Sequence, residues 1–243
     1  MKNSISNTVI KRIPSRKDRF SDVMTVVYEQ NIAPSLILRH RLPLDRSFNR
    51  MLKRSFDCLL SSLLILLILS WLVPLIALLI KMDSKGPVFF FQKRNSKNGR
   101  LFTCIKFRTM VVNKEADTQP AIANDSRITS IGAFLRQNHL DELPQLFNVW
   151  LGHMSIIGPR PHMVSDNLKY EQLLNFYSYR HKVSPGLTGW AQVHGHVGVI
   201  KDVEAMRERV KKDIYYIHHW SMLMDMKIIG TTLFRMIPSF SRK

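Results

Sequence analysis

Residues 56–80 restrict this chain more than any other stretch. From Phe56 to Ile80 the sequence is apolar, interrupted only by Asp57, Ser61, Ser62, Ser70 and Pro74. A helix of about 20 apolar residues crosses the hydrocarbon core of a bilayer, so the segment is expected in a membrane. Lys53 and Arg54 precede it and Lys81 and Lys85 follow it. Basic flanks are retained on the cytoplasmic side, and a straight span would export one of these two. A re-entrant hairpin, entering and leaving on one face, keeps both. Pro74 removes a backbone hydrogen bond and crowds the carbonyl four residues back, which the Ser70 hydroxyl could help satisfy. Ser70 and Pro74 are therefore the expected membrane break. Proline also occurs in straight spanning helices, so a full span stays open as the alternative.

Charge narrows the partners. Lys and Arg number 36 against 18 Asp and Glu, a formal net charge of +18 over 243 residues. Such an excess favours anionic partners: phospholipid, phosphorylated substrates or nucleic acid. Residues 1–50 read as a basic, partly disordered leader, with short elements at Val23–Tyr28 and Ile32–Leu38. The charged stretch is too long before the apolar run to be a signal peptide. Cys58 and Cys104 have no metal-ligand spacing and read as inert packing residues in a chain without disulfides.

Beyond the apolar run, Gly86-Pro87 leads into a strand at Val88–Gln92, Asn98-Gly99 supplies a hairpin turn, and Leu101–Phe107 returns. Lys106 and Arg108 are two apart on that strand and are expected on one face, where they suit a diphosphate or anionic lipid. Asn124–Thr129 carries helix-start chemistry for a helix through Arg136. Asp141 and Glu142 stand just before Pro144, a favoured first-turn residue, with Leu146, Val149 and Trp150 at helical spacing and Gly152 as a stop. The acidic pair is thus expected at a helix N-terminus, where the dipole keeps a carboxylate ionised. Capping alone would also explain it.

Ser155–Ile157 reads as a short strand ending in Gly158-Pro159-Arg160-Pro161, which projects an arginine whose planar fork suits phosphate. Residues 165–182 read as a helix. Ser184–His196 forms a Gly-rich loop and short strand, in which His194 and His196 are surface or hydrogen-bonding groups rather than metal ligands. From Asp202 to Trp220, Val203, Met206, Val210, Ile214 and Ile217 share one helical face, for a core or for a membrane interface.

These motifs together resemble the bacterial sugar transferases, the monotopic polyprenyl-phosphate phosphoglycosyl transferases that begin exopolysaccharide, capsule and O-antigen assembly. The resemblance is carried by Lys53-Arg54-Ser55-Phe56-Asp57, Gly86-Pro87-Val88-Phe89-Phe90, Lys106-Phe107-Arg108-Thr109-Met110 and Asp141-Glu142-Leu143-Pro144-Gln145. It continues through Gly158-Pro159-Arg160-Pro161, Pro185–Val193, His219-Trp220-Ser221 and Asp225–Ile229, covering about 53–231.

The resemblance implies a fold that is α/β, mainly helical: a re-entrant membrane helix-hairpin (51–85), then a compact cytosolic catalytic domain (86–231) with a small β-hairpin and sheet and amphipathic interfacial helices, then a basic tail (232–243). It implies that Asp141 is the nucleophile and that Glu142 binds Mg2+. Lys106, Arg108, Arg136, Arg160, Arg180 and Gln192 would bind substrate, and Asp125, Arg127, Pro159 and Pro161 would support the site. The implied partners are a UDP-sugar donor, a polyprenyl phosphate acceptor and membrane lipid, with a homodimer and downstream glycosyltransferases as further candidates and no nucleic acid. The implied location is the bacterial inner membrane, catalytic domain facing the cytoplasm. A catalytically inactive scaffold and an anionic-lipid-binding module are the competing readings.

Two departures from the family pattern stand out. Arg94-Asn95-Ser96 replaces Arg-x-Gly, and His194-Gly195-His196-Val197-Gly198 replaces Asn-Gly-Trp-Arg-Gly, removing an arginine at Val197. The second bears on which sugar is transferred, for which a simple hexose is the expectation. Longer family members carry additional N-terminal spanning helices, so this chain resembles the compact form.

Overall fold

A long helix runs from Ser47 to Asp83 in three parts: α1 (Ser47–Leu64), a π-helical turn (Ile65–Leu69) and α2 (Ser70–Asp83). The computed structural model describes residues 41–113, 122, 125–198, 200 and 202–236. The elements expected at Val23–Tyr28 and Ile32–Leu38 lie outside those residues, as do Asn124 and residues 237–243. The helix is long and apolar enough to cross a membrane, and its middle exposes Leu63, Leu66, Leu67, Trp71 and Leu75.

Where the sequence places the break, the helix is continuous through a π turn. In the π turn the Ser70 N–H reaches back five residues to the Ile65 carbonyl, a register that leaves neighbouring carbonyls short of partners. The Ser70 hydroxyl donates to the Leu66 carbonyl at 2.7 Å and the Trp71 indole N–H to that of Leu67 at 2.9 Å. Ser70 thus serves the π turn preceding it, while Pro74 sits inside α2 one turn later.

Both ends of this helix are fastened to one body. In α1, Lys53 pairs with the fully buried Asp225 at 2.8 Å. One turn on, the Asp57 carboxylate accepts the Ser155 hydroxyl and the Ile156 N–H, each at 3.0 Å. In α2, Ile76 and Ile80 join Phe107 and Leu135 in a buried cluster, and Asp83 accepts the Ile131 N–H at 3.0 Å.

The body holds two small sheets. β1 (Phe89–Asn95) and β2 (Leu101–Phe107) pair antiparallel with Phe90 opposite Lys106 and Gln92 opposite Cys104. Asn98 and Gly99 take positive φ between them, as the Asn-Gly turn requires. β3 (Ser155–Ile157) and β4 (Gly186–Thr188) pair parallel. Glycine is obligatory at Gly186, since a Cβ there would fall 2.0 Å from the Gly158 nitrogen.

Around the sheets pack α3 (Ser130–Gln137), α4 (Gln145–Trp150), α5 (Val164–Leu173), α6 (Trp190–Val193), α7 (Val203–His219) and α8 (Met222–Met236). Thr129 caps α3 by accepting the Gly132 N–H, and Asp202 caps α7 by accepting that of Ala205. The helix expected over 165–182 stops at Leu173, and a separate 3-10 turn follows at Tyr177–Lys182.

The apolar face of α7 is core, not a membrane interface: Met206, Val210, Ile214 and Ile217 are all fully buried. The outward apolar surface belongs to α8, through Leu223, Met226, Leu233 and Phe234. That helix runs unbroken through residues 231 and 232, where the tail was expected to begin. Cys58 and Cys104 are free, and Cys104 is buried.

Candidate active site

The site begins with a side chain acting as a strand. Asn148 of α4 accepts the Ile105 N–H at 2.9 Å and donates to the Thr103 carbonyl at 2.8 Å, closing the free edge of β2. That contact carries the segment ahead of α4 alongside Lys106. Asp141 and Glu142 lie in a 3-10 turn, Leu140–Glu142, entered through His139 in the left-handed conformation and separated from α4 by Leu143 and Pro144. The dyad therefore occupies the turn before the helix rather than its first residues.

Glu142 is locked. Its Oε1 accepts Lys106 Nζ at 2.6 Å and Arg160 Nη2 at 2.5 Å, and its Oε2 accepts Arg160 Nη1 at 3.0 Å. Burial alone would raise its carboxyl pKa, but Arg160 and Lys106 more than reverse this and hold it well below the usual range. Reciprocally, the Glu142 carboxylate raises the pKa of Arg160 despite its burial. Bidentate pairing of this kind fixes a guanidinium in orientation as well as charge.

Asp141 behaves in the opposite way. Among the described residues it takes part in no hydrogen bond or ion pair, and burial raises its carboxyl above the ordinary value, with Lys106 only partly offsetting that. The expected helix N-terminus is a 3-10 turn instead, and there desolvation, with the Glu142 carboxylate beside it, raises the Asp141 carboxyl above its ordinary value. What results is a poorly hydrated carboxylate lining a cleft.

The cleft encloses about 760 Å³ and is lined by seven Lys or Arg side chains against three acids, Asp141, Glu142 and Asp166. Lys106, Arg136 and Arg160 gather around the dyad, Arg136 being anchored by donating Nε–H to Thr109 Oγ1 at 2.8 Å. Arg108 borders the cleft, yet its guanidinium donates to the Pro87, Lys85 and Ser84 carbonyls and to Ser84 Oγ, and it is 6% exposed. It ties the end of α2 to β2, so Lys106 and Arg108 do not form a common clamp.

Arg180 lies behind the site, 2% exposed. It donates to Asp213 Oδ2 through Nε at 3.1 Å and Nη2 at 2.8 Å, to His162 Nδ1, and to the Arg160 carbonyl at 2.7 Å. It holds the loop that presents Arg160. Burial lowers the pKa of His162 far below the usual value, with Arg180 and Arg209 adding to the effect, so the ring is neutral.

Gln192 also lies away from the cleft, donating to the Leu187 carbonyl at 3.1 Å. Pro159 and Pro161 contribute carbonyls, to the Gly186 N–H and to Arg94 Nη1 respectively. Asp125 and Arg127 form a two-pronged pair at 2.9 and 2.7 Å, and the Arg127 carbonyl accepts the Val111 N–H at the cleft edge. His194 packs at a tilt on Trp190 with ring centroids 4.0 Å apart, and its Nδ1–H donates locally to the Trp190 carbonyl at 2.7 Å.

Arg94 lines the cleft, though the family motif at its position gave it no role, as do His162, Asp166, Lys169 and Arg209, which no motif singled out. The strand alternation that pairs Phe90 with Lys106 also aims Arg94 to that face, and Arg209 stands four residues before Asp213, one helical turn away. Those periodicities were the available signals.

Among the described residues no group of three or more His, Cys, Asp or Glu could hold a metal ion alone. The oxygen donors of Asp141 and Glu142 nevertheless suit Mg2+, which takes one or two carboxylates and completes its shell with water and phosphate oxygens. Such an ion would draw on Asp141 and on Glu142 Oε2, which accepts one donor where Oε1 accepts two, with phosphate oxygens and water completing its shell.

A family model described as Bacterial sugar transferase matches residues 48–239. The chain is 48% identical over 189 residues to a UDP-glucose:undecaprenyl-phosphate glucose-1-phosphate transferase of Escherichia coli (strain K12), covering 77% of this chain and 40% of that protein. It is 49% identical over 164 residues to a protein of the same description from Xanthomonas campestris pv. campestris, covering 67% of this chain and 34% of that protein. It is 44% identical over 187 residues to the exopolysaccharide production protein PSS of Rhizobium leguminosarum bv. phaseoli, covering 75% of this chain and 93% of that protein. The chain thus spans less than half the length of the first two relatives.

Proposed function

The chain belongs to the bacterial sugar transferase family, and from that premise we propose that it transfers a sugar-1-phosphate, hexose-1-phosphate in the first instance, from a UDP-sugar to polyprenyl phosphate. The observation that carries this reading is the contrast within the dyad: Glu142 saturated by Lys106 and Arg160, and Asp141 beside it unpartnered and facing the cleft.

An Asp141 oxygen attacks the donor's β-phosphorus. The bond from that phosphorus to the bridging oxygen breaks, UMP departs with the electron pair, and a sugar-phosphoryl aspartate remains. A polyprenyl phosphate oxygen then attacks the same phosphorus, releasing the Asp141 carboxylate and forming polyprenyl-diphosphate-sugar. Phosphoryl transfer depends chiefly on positioning and on neutralising charge. Lys106, Arg136 and Arg160 supply fixed cations beside Asp141, and Arg180 positions Arg160 from behind. Bound Mg2+, held by Glu142 with donor phosphate oxygens, would supply further charge neutralisation.

The long helix serves as a re-entrant anchor in this reading, entering and leaving the cytoplasmic face of the inner membrane. Support comes from its two ends docking on one body while leucines in its middle face outward. At the α2 end of the cleft, Pro87, Phe90, Val111 and Val112 offer apolar surface to the incoming polyprenyl chain.

The test is UMP release by the full chain in detergent or nanodiscs with Mg2+, polyprenyl phosphate and a panel of UDP-sugars, together with intact-mass analysis when acceptor is omitted. Release with one donor, a mass increase of one sugar phosphate, and loss of both in Asp141→Asn are expected. Normal turnover by Asp141→Asn would remove the nucleophile assignment. Silence with every donor would remove the reaction.

A further inference from the structure

The cleft extends past the dyad in a direction that the transfer chemistry leaves unused. Along the face of the β1–β2 hairpin, Arg108 lies on one side of the Phe90–Lys106 pair, next to the end of α2, and Arg94 on the other. Four steps along the strand take Phe90 to Arg94, about 13 Å. Arg94 bridges to Met163 at the start of α5. From there Met163, Asp166 and Lys169 recur at three-residue intervals, one face of the helix, and all three line the cleft. This arm therefore leads from the cations at the dyad, away from the membrane helix, along α5.

Its polar groups are not spent on the protein. The half-buried Asp166 takes part in no hydrogen bond or ion pair among the described residues, and the exposed Lys169 lies over the Tyr170 ring, 5.3 Å from its centroid. Arg209 of α7, which also lines the cleft, is 5% exposed and its Nε has no partner among the described residues. Its Nη1 faces His162 Nε2 at 3.4 Å. At 3.4 Å that contact is long, and His162 also meets Arg180 and the Tyr177 hydroxyl through Nδ1. The remaining bond of Arg209 is to the Gly198 carbonyl at 3.1 Å. Burial, aided by Arg180, lowers the Arg209 pKa to about 10. A buried cation with an unpartnered N–H, an open carboxylate and an open amine converge on one arm.

We propose that this arm is the seat of the donor's ribonucleoside, with Asp166 accepting the ribose hydroxyls, Lys169 donating to a carbonyl of the pyrimidine, and Arg94 and Arg209 forming the positive floor beneath the adjoining phosphate. The assignment rests on the reaction proposed above and adds to it the determinants of nucleotide recognition. It divides the cleft by substrate: nucleotide along α5, dyad in the middle, lipid acceptor at the end of α2. A hydroxyl-to-carboxylate bond is charge-assisted and contributes about tenfold or more to affinity, so removal of the 2′-hydroxyl is felt at Asp166 first.

The experiment measures UMP and 2′-deoxy-UMP binding calorimetrically to the full chain in nanodiscs, for wild type, Asp166→Asn and Lys169→Met, alongside donor and acceptor KM. Wild type is expected to prefer UMP over its 2′-deoxy form roughly tenfold. Asp166→Asn should bring that ratio close to one. Lys169→Met should weaken both nucleotides equally. Acceptor KM should stay within twofold in each. Wild-type affinity and discrimination in both variants, with phosphotransfer intact, overturns this site and leaves the reaction standing. UMP binding that is lost in the variants, in a protein that transfers nothing, supports the site and overturns the reaction. No UMP binding by wild type overturns both.

Discussion

Replacing Arg180 by Met separates two roles that the sequence leaves indistinguishable. As a phosphate ligand, Arg180 would matter to donor binding; as the structure places it, it is a brace. Its side chain and that of Asp213 are 1% and 2% exposed. Removing one member of a buried, hydrogen-bonded ion pair strands the other charge and costs about 3–5 kcal/mol. For a body of this size each kcal/mol lowers the melting temperature by about 2–4 °C, so a fall of roughly 6–20 °C is expected.

Asp213 adds a pH signature. Burial raises its carboxyl above the ordinary value, partly offset by Arg180 and then Arg209, and loss of Arg180 raises it further. A group whose folded pKa lies above the unfolded one favours the folded state when protonated. The contribution is fully present below the unfolded value near 3.9 and is lost as pH rises through the folded pKa. The stability deficit of Arg180→Met should therefore be largest at neutral and alkaline pH and shrink on acidification. Replacing both members, Arg180→Met with Asp213→Leu, should recover most of the loss, since an apolar pair strands no charge. The assay is urea or thermal unfolding in detergent from pH 4.5 to 8, with donor KM measured well below the melting temperature. A variant as stable as wild type whose donor KM rises a hundredfold would refute this reasoning and return Arg180 to the diphosphate.

Two further outcomes follow from local geometry. Gly132→Ala places a Cβ 2.0 Å from the Thr109 carbonyl oxygen, so α3 must shift from the segment that follows β2 at a cost of about 1–3 kcal/mol, read as a lower urea midpoint; an unchanged midpoint would mean the helix docks more loosely than its contacts state. Asp125 is held well below the ordinary carboxylate range, first by its hydrogen bond from Arg127. Its stabilisation is therefore present above the unfolded pKa near 3.9 and lost as pH falls through the folded one. Asp125→Asn should flatten the acid limb of the stability profile below about pH 4, and an identical limb would contradict it.

What could be read from the chain were features whose causes are local. The apolar run with basic flanks, the Asn98-Gly99 hairpin, the capped start of α3 and the apolar face of α7 each follow from neighbours a few residues apart. The Asp141-Glu142 pair was visible for the same reason, through Pro144 and the spacing that follows it. Helix ends were less legible: Leu173 ends α5 where the pattern continues, and α8 carries on through Met236 past the point where the tail was placed.

Which cation serves which task was decided only in three dimensions. Lys106 and Arg108 are two residues apart on a strand, yet one reaches Glu142 and the other the carbonyls around Ser84. Arg160 and Arg180 look alike in the chain, yet one faces the cleft and the other is sealed against Asp213. A guanidinium's role depends on the burial and charge of partners 18 or 33 positions away, and periodicity carries no information at that range. Sequence alone determined that this chain has a membrane-length apolar helix and an acidic pair among basic motifs. The tertiary structure decided that Glu142 is neutralised and Asp141 left open, because only the folded chain sets desolvation and the distances between charges.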